Sequence, residues 1–209
     1  MQFLRPLLLF TILLIGFSWF SYSVSDNRLG SIQTAKHPGS VKWKEKLQQK
    51  VAGAKQFVHQ KKFNETFCFL IDMSLPSGQE RFFIYNLQKD SIVKRGLVAH
   101  GNCFEYWLEG RKYSNVVGSG CTSLGKYKIG IPYNGKFGYS YKLHGLDSSN
   151  NNAFERTVVL HSHSCIPEKE VKEDICQSNG CPTVAPGFLT RLKDIINHSS
   201  KPVLLWIFE

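Results

Sequence analysis

Acidic side chains are scarce in this 209-residue sequence: 16 Asp and Glu stand against 26 Lys and Arg, a formal net charge of +10. Proline and glycine are not abundant either, at 8 and 17 residues, and no segment repeats, so a collagen-like or Pro/Ser-rich filament is excluded. No apolar stretch after residue 25 is long enough to span a bilayer as a helix. At 42% hydrophobic and 20% charged, with 13% aromatic residues, the chain is instead rich enough to bury a core. One globular domain behind a targeting segment is the expectation.

The one long apolar run lies at the start. Arg5 precedes Leu7 to Phe20, and the small residues Ser21, Ser23 and Ser25 follow, which is the order of an export signal. The 20 uncharged residues from Pro6 to Ser25 also suffice for an uncleaved anchor. Residues 1–25 are therefore read as export signal or membrane anchor, placing the rest in the periplasm or cell envelope. Residues 26–40, polar with Gly30, Pro38 and Gly39, read as a linker, and 41–209 as the domain.

The positive charge is concentrated. Residues 36–62 carry eight lysines against Glu45 alone, a local excess of seven. Such a segment suits an anionic membrane surface or wall polymer; the alternative is a solvated helix face. Nucleic acid is not expected as a partner, because no nucleic-acid motif is present and an exported chain rarely meets it.

Trp43, Leu47, Val51, Ala54 and Val58 recur at helical spacing and predict a helix ending near Lys62. Short β-rich runs follow: Phe67–Met73, Arg81–Leu87, Ser91–Ala99, Lys126–Ile131, Tyr139–Leu143 and Thr157–His161, with Pro132-Tyr133-Asn134-Gly135 read as a turn. Pro186–Asn197 predicts a second helix and Pro202–Phe208 a last strand. The fold class is thus mainly β, with an N-terminal helix and a helix-strand C-terminal end.

Chemistry gathers near the C-terminus. The run Thr157-Val158-Val159-Leu160 delivers His161, and Ser178-Asn179-Gly180-Cys181-Pro182 follows. A free thiol has a pKa near ~8.5 and needs a neighbouring base or positive charge to act as a thiolate. His161 at a strand end can be that base. Gly180 lets the backbone approach a substrate carbonyl, so the amides of Gly180 and Cys181 are candidates for an oxyanion hole. His163, two residues on and on the same face of a strand, is the rival base. Other readings of these residues are that Cys181 is half of a structural disulfide, or that His161, His163, Cys165, Cys176 and Cys181 hold zinc in a structural module.

These residues resemble the L,D-transpeptidase catalytic domain, whose signature is a strand-end His followed by Ser-x-Gly-Cys, and most closely the murein branch with Pro after the Cys. Further landmarks stand in order: Asp72-Met73-Ser74 with Arg81, His100-Gly101, Tyr113-Ser114-Asn115, Ser123-Leu124-Gly125-Lys126-Tyr127, Tyr133-Asn134-Gly135, Gly145-Leu146, and Asn151, Ala153 and Arg156 before His161. The sequence departs from many members at Asn179, where they have His, and at Pro182-Thr183, where they have Arg or Asn soon after the Cys. The resemblance implies a cofactor-free, metal-free cysteine acyl transferase acting on peptidoglycan stem peptides, with Cys181 as nucleophile, His161 as base, Ser178 and Gly180 as motif positions, and Tyr133 and Arg156 as groove positions. Water in place of an acceptor amine gives a carboxypeptidase; a non-catalytic wall-binding relative is the remaining alternative.

Six cysteines leave five once Cys181 is reserved as a thiol. Cys165 and Cys176 lie in the segment joining base to nucleophile at a separation a bridge can close, and Cys103 with Cys121 forms a second candidate pair. The rival pairing is Cys176 with Cys181.

Overall fold

The structure, a computed structural model, describes residues 40–209. The export segment and the linker up to residue 39 lie outside the described residues. Two helices, α1 (Ser40–Lys61) and α2 (Pro186–Asn197), accompany eight strands: β1 (Phe67–Asp72), β2 (Phe82–Asn86), β3 (Ser91–Gly96), β4 (Gly125–Gly135), β5 (Gly138–Gly145), β6 (Val159–Ser162), β7 (Thr183–Val184) and β8 (Leu204–Phe208). The strands form one sheet in the order β3-β2-β1-β8-β4-β5-β6-β7. Only β1 with β8 and β6 with β7 run parallel; the other neighbours are antiparallel.

Alternation along the central strands creates two cores. Cys68 and Leu70 of β1, with Leu204 and Phe208 of β8, meet Leu47, Val51, Ala54 and Val58 of α1. Phe69, Ile71, Leu205 and Ile207 face the opposite side and pack with Phe188, Leu189 and Leu192 of α2. A side-chain period of two does this, and it explains why these strands read as unbroken apolar runs. Each fully buried Leu or Val contributes roughly 1.5–3 kcal/mol, so the α1 stripe is enough to dock that helix. Two lysines of the basic segment serve the fold itself, Lys46 pairing with Asp72 at 3.0 Å and Lys50 lying over Trp206 at 4.9 Å. Lys42, Lys44, Lys61 and Lys62 remain exposed.

Three boundaries differ from the sequence expectation, each for a physical reason. Pro132, Tyr133 and Asn134 are not a turn: β4 continues through them, paired with Tyr141, Ser140 and Tyr139. The register shifts between Ile129 and Pro132, and such an irregularity absorbs a residue with no N–H to give to the ladder. The reversal falls at Lys136 and Phe137 instead. β6 begins at Val159 because Thr157 stands at φ 55, outside the extended region. β6 also ends at Ser162, so His163 is off the strand.

Candidate active site

β6 and the turn at 178–182 bring His161 and Cys181 to one cavity of about 210 Å³. Phe137, His163, Ser178, Thr183 and the cysteines 165 and 176 complete much of its wall. β7 is what holds the two together. It lies parallel to β6 with His161 opposite Thr183, two residues after Cys181.

The imidazole of His161 is buried and has a partner at each nitrogen. Nδ1 lies 3.1 Å from the Ser162 carbonyl, which can only accept, so Nδ1 carries the proton. Nε2 is then bare and accepts the Thr183 hydroxyl at 3.0 Å. Phe137, at the tip of the β4–β5 hairpin, stacks on the ring at 4.3 Å. Burial pushes the His161 pKa below its ordinary value, His163 pushes the same way, and the Ser162 carbonyl opposes. The ring is therefore set as a neutral base.

Sγ of Cys181 accepts a hydrogen bond from the Val159 amide at 3.4 Å. Burial raises the thiol pKa, while the Val159 amide and the Arg156 charge pull it down. Both shifts favour the uncharged forms, thiol at Cys181 and imidazole at His161.

The Ser-x-Gly-Cys turn is explained by its own bonds. Ser178 Oγ donates to the Cys181 carbonyl at 2.7 Å and accepts the Gly180 amide at 3.2 Å. Gly180 has φ +101, and a Cβ there would stand 2.6 Å from the Cys121 carbonyl oxygen. Glycine is required twice over, by conformation and by space. The same geometry corrects the expected oxyanion pair: the Gly180 N–H is spent inside the turn, leaving the Cys181 amide as the motif's remaining candidate.

Of the other expected residues, His163, Cys165 and Cys176 stand in the cavity wall, whereas Arg156 and Tyr133 do not. Arg156 serves the loop beside the cavity. Its guanidinium donates to the carbonyls of Ser114 and Cys121 and to the hydroxyls of Ser119 and Ser123, clamping the 114–123 loop behind Gly180. Tyr133 lines a second cavity, about 290 Å³, with Lys142, Phe154 and Val159. His163 is exposed, and its Nδ1 accepts the Cys165 amide at 3.1 Å. Cys165 is bonded to Cys176 and Cys103 to Cys121, leaving Cys181 and the buried Cys68 as free thiols. Cys176 is thus not joined to Cys181, and two of the five ligands of the zinc alternative are taken by a bridge.

Sequence reasoning missed Thr183, the Val159 amide and Phe137. The β-prone pair Thr183-Val184 two residues past the Cys was a signal for a short strand. An aromatic residue between Gly135 and Gly138 was a signal for a hairpin tip with a task. Backbone donors such as the Val159 amide have no sequence signature.

A family model for the L,D-transpeptidase catalytic domain matches residues 40–207. Among solved structures, the chain is similar to an L,D-transpeptidase from Xylanimonas cellulosilytica (16% identity, TM-score 0.40, covering 74% of this chain and 69% of that one). It is also similar to the helical cell shape determining protein Pgp2 from Campylobacter jejuni (13%, TM-score 0.46, 69% and 47%). A third is an L,D-transpeptidase from Mycobacterium smegmatis (9%, TM-score 0.42, 69% and 59%). The chain therefore spans only about half to two-thirds of these proteins. No curated protein matches.

Proposed function

The chain belongs to the L,D-transpeptidase catalytic domain family, and from that premise we propose that it is a peptidoglycan-modifying acyl transferase working through a thioester on Cys181. The observation that carries this reading is the shared cavity of Cys181 and His161, with Nδ1 of His161 committed to Ser162 so that Nε2 is left as the proton acceptor. The thiol proton passes to Nε2 as Sγ attacks the carbonyl of an L-to-D bond in a stem peptide. The Thr183 hydroxyl has two acceptors in reach, Nε2 at 3.0 Å and the Cys181 carbonyl at 3.3 Å. When Nε2 takes the proton, that hydroxyl turns to the carbonyl and its oxygen receives the new N–H. The imidazolium is then held at both nitrogens.

His161 next gives the proton to the departing amine of the D-residue. A second stem's amine attacks the thioester and restores the thiol. The Cys181 amide supplies a donor for the oxyanion in both steps. No cofactor is needed for this chemistry.

Two features support a place in the cell envelope. The apolar stretch of residues 7–20 has the order of an export signal, and two disulfides suit an oxidising compartment. We read residues 1–25 as signal or anchor, 26–40 as linker and 41–209 as the catalytic domain. Incubating the full chain with a disaccharide tetrapeptide and weighing protein and products tests the proposal. An acyl adduct on Cys181 with cross-linked dimer is the expected result. An adduct with tripeptide alone would make the enzyme a carboxypeptidase, and an adduct on another residue would sink the assignment.

A further inference from the structure

The segment joining β6 to β7, residues 163–182, contains no helix or strand, yet it carries three of the six cysteines. Cys165 and Cys176 are joined to each other, and Cys181 is a free thiol. All three stand in the wall of the one cavity that also holds His161. A thiol beside a base therefore shares a small cavity with a disulfide, and those are the parts that thiol–disulfide exchange requires.

The bridge is not what holds the segment in place. Ile166 and Ile175, the chain neighbours of the two half-cystines, are buried in the core on the α2 side of the sheet. The Ile175 amide donates to Ser77 Oγ at 3.2 Å, the Val171 amide to the Gly78 carbonyl at 3.0 Å and the Ser178 amide to the His100 carbonyl at 2.8 Å. These contacts anchor the backbone whichever way the sulfurs are joined. Replacing one bridge within the segment by another also leaves the constraint on the unfolded chain nearly unchanged.

The two sulfurs of the bridge are not equivalent. Cys165 is exposed, with its amide held by Nδ1 of His163 at 3.1 Å. Cys176 is half-buried and begins the stretch 176–181 that lines the cavity up to the nucleophile. Ser178 Oγ, bonded to both the Gly180 amide and the Cys181 carbonyl, curls that stretch back on itself. Water solvates a thiolate better at the exposed position, so Cys165 is the better leaving group and Cys176 the sulfur open to attack.

We propose that Cys181 exchanges with this bridge, giving the chain a second, latched isomer in which Cys176 is joined to Cys181 and Cys165 is free. Nε2 of His161 takes the thiol proton, Sγ of Cys181 attacks Sγ of Cys176, and the Cys165–Cys176 bond breaks. Cys165 leaves as a thiolate and takes a proton from solvent, to which His161 returns its own. One S–S bond forms as one breaks, so no oxidant or reductant is consumed. The structure holds the open isomer. In the latched one the nucleophile is withdrawn from acyl transfer and shielded from irreversible oxidation. A ligand that binds only the open isomer draws the population back to it.

The test is trapping of the full chain with iodoacetamide in the absence of reductant, followed by non-reducing peptide mapping. Wild type yields two products. One is labelled on Cys181 with the Cys165–Cys176 bridge intact; the other is labelled on Cys165, with Cys176 joined to Cys181. The second forms about tenfold faster for each unit of added pH while Cys181 is still mostly thiol, because the attacking species is the thiolate. Cys181→Ala, with thermal unfolding unchanged, leaves Cys165 unlabelled. Absence of label on Cys165 at every pH overturns the proposal. So does labelling of Cys165 that persists in Cys181→Ala, since the bridge would then open unaided. The exchange needs no substrate, so a chain that forms no acyl adduct with the tetrapeptide would lose the function proposed above and still report on the latch.

Discussion

Thr183 Oγ1 lies 3.0 Å from Nε2 of His161 and 3.3 Å from the carbonyl oxygen of Cys181, so one hydroxyl ties the candidate base to the backbone of the candidate nucleophile. Thr183→Val keeps the shape and removes that tie. Loss of a hydrogen bond to a charged group costs about 1.5–3 kcal/mol, which predicts a fall in kcat of roughly ten- to a hundredfold with little change in KM. Thr183→Ser restores it. Steady-state kinetics on the three proteins decide; a Ser variant as poor as Val would make Thr183 a packing residue.

His161→Gln abolishes acyl transfer, while His163→Gln leaves kcat within about threefold, because His163 is exposed and off the strand. The pH dependence adds a second reading. The base must be neutral to accept a proton, and burial holds the His161 pKa down, so kcat/KM falls on the acid side with a midpoint below the ordinary 6.5 of imidazole. His163 contributes to that depression, so His163→Gln moves the limb upward. A limb moving the other way would contradict the electrostatic assignment.

Legibility followed periodicity. The α1 stripe, the central strands and α2 were plain because burial imposes a period on side chains, and α2 was bounded correctly at Pro186 and Asn197. That Cys181 and His161 share a cavity was legible only through the resemblance to the Ser-x-Gly-Cys signature, since one Cys with one His says little alone. What escaped depends on backbone direction. Tyr133 was misplaced because a strand running through a proline at a register shift looks like a turn, and His163 because nothing in Ser162-His163 announces the end of β6. The clamp made by Arg156 was not legible, since its four acceptors come from a loop more than thirty residues away.

Arg156 acts at two levels, and two variants part them. Arg156→Gln removes both the loop clamp and the positive charge, so the protein loses roughly 2–4 kcal/mol of stability and Cys181 is alkylated more slowly at a given pH. Arg156→Lys keeps the charge but cannot reach four acceptors from one ammonium, so alkylation recovers more than stability does. Thermal unfolding and iodoacetamide rates read the two effects. Parallel losses in both variants would mean that the charge has no influence on the thiol.

Lys62 holds φ 58 just past the end of α1, where the Phe63 amide reaches back to the Val58 carbonyl at 2.9 Å and the Phe57 and Phe63 rings meet at 5.4 Å. This is a Schellman-type helix end with lysine at the position that glycine favours. Lys62→Gly relieves the left-handed strain and stabilises the protein by about 0.5–1 kcal/mol, net of the added freedom of the unfolded chain. Chemical denaturation measures it; a loss of stability would show that the lysine stem packs usefully.

His100 links pH to the stability of the site. It is buried, and its Nδ1 lies 3.1 Å from Nη2 of Arg81, a group that can only donate, so the ring is neutral there. Burial first, then the charges of Arg81 and Arg111, hold its pKa down to about 4 against an ordinary 6.5. Between those values the unfolded chain binds more protons at this position than the folded one, so stability rises with pH across that window. The contribution is complete above 6.5 and lost as the pH falls to 4; allowing for partial screening, it amounts to roughly 2 kcal/mol. His100→Gln keeps a side-chain acceptor for Arg81 but does not titrate, so the drop in unfolding free energy between pH 7.5 and 4.5 shrinks by about that amount. The Ser178 amide donates to the His100 carbonyl at 2.8 Å, so protonating this ring loosens the segment on which the Cys181 turn rests. Equal acid sensitivity of wild type and variant would place the proton uptake elsewhere.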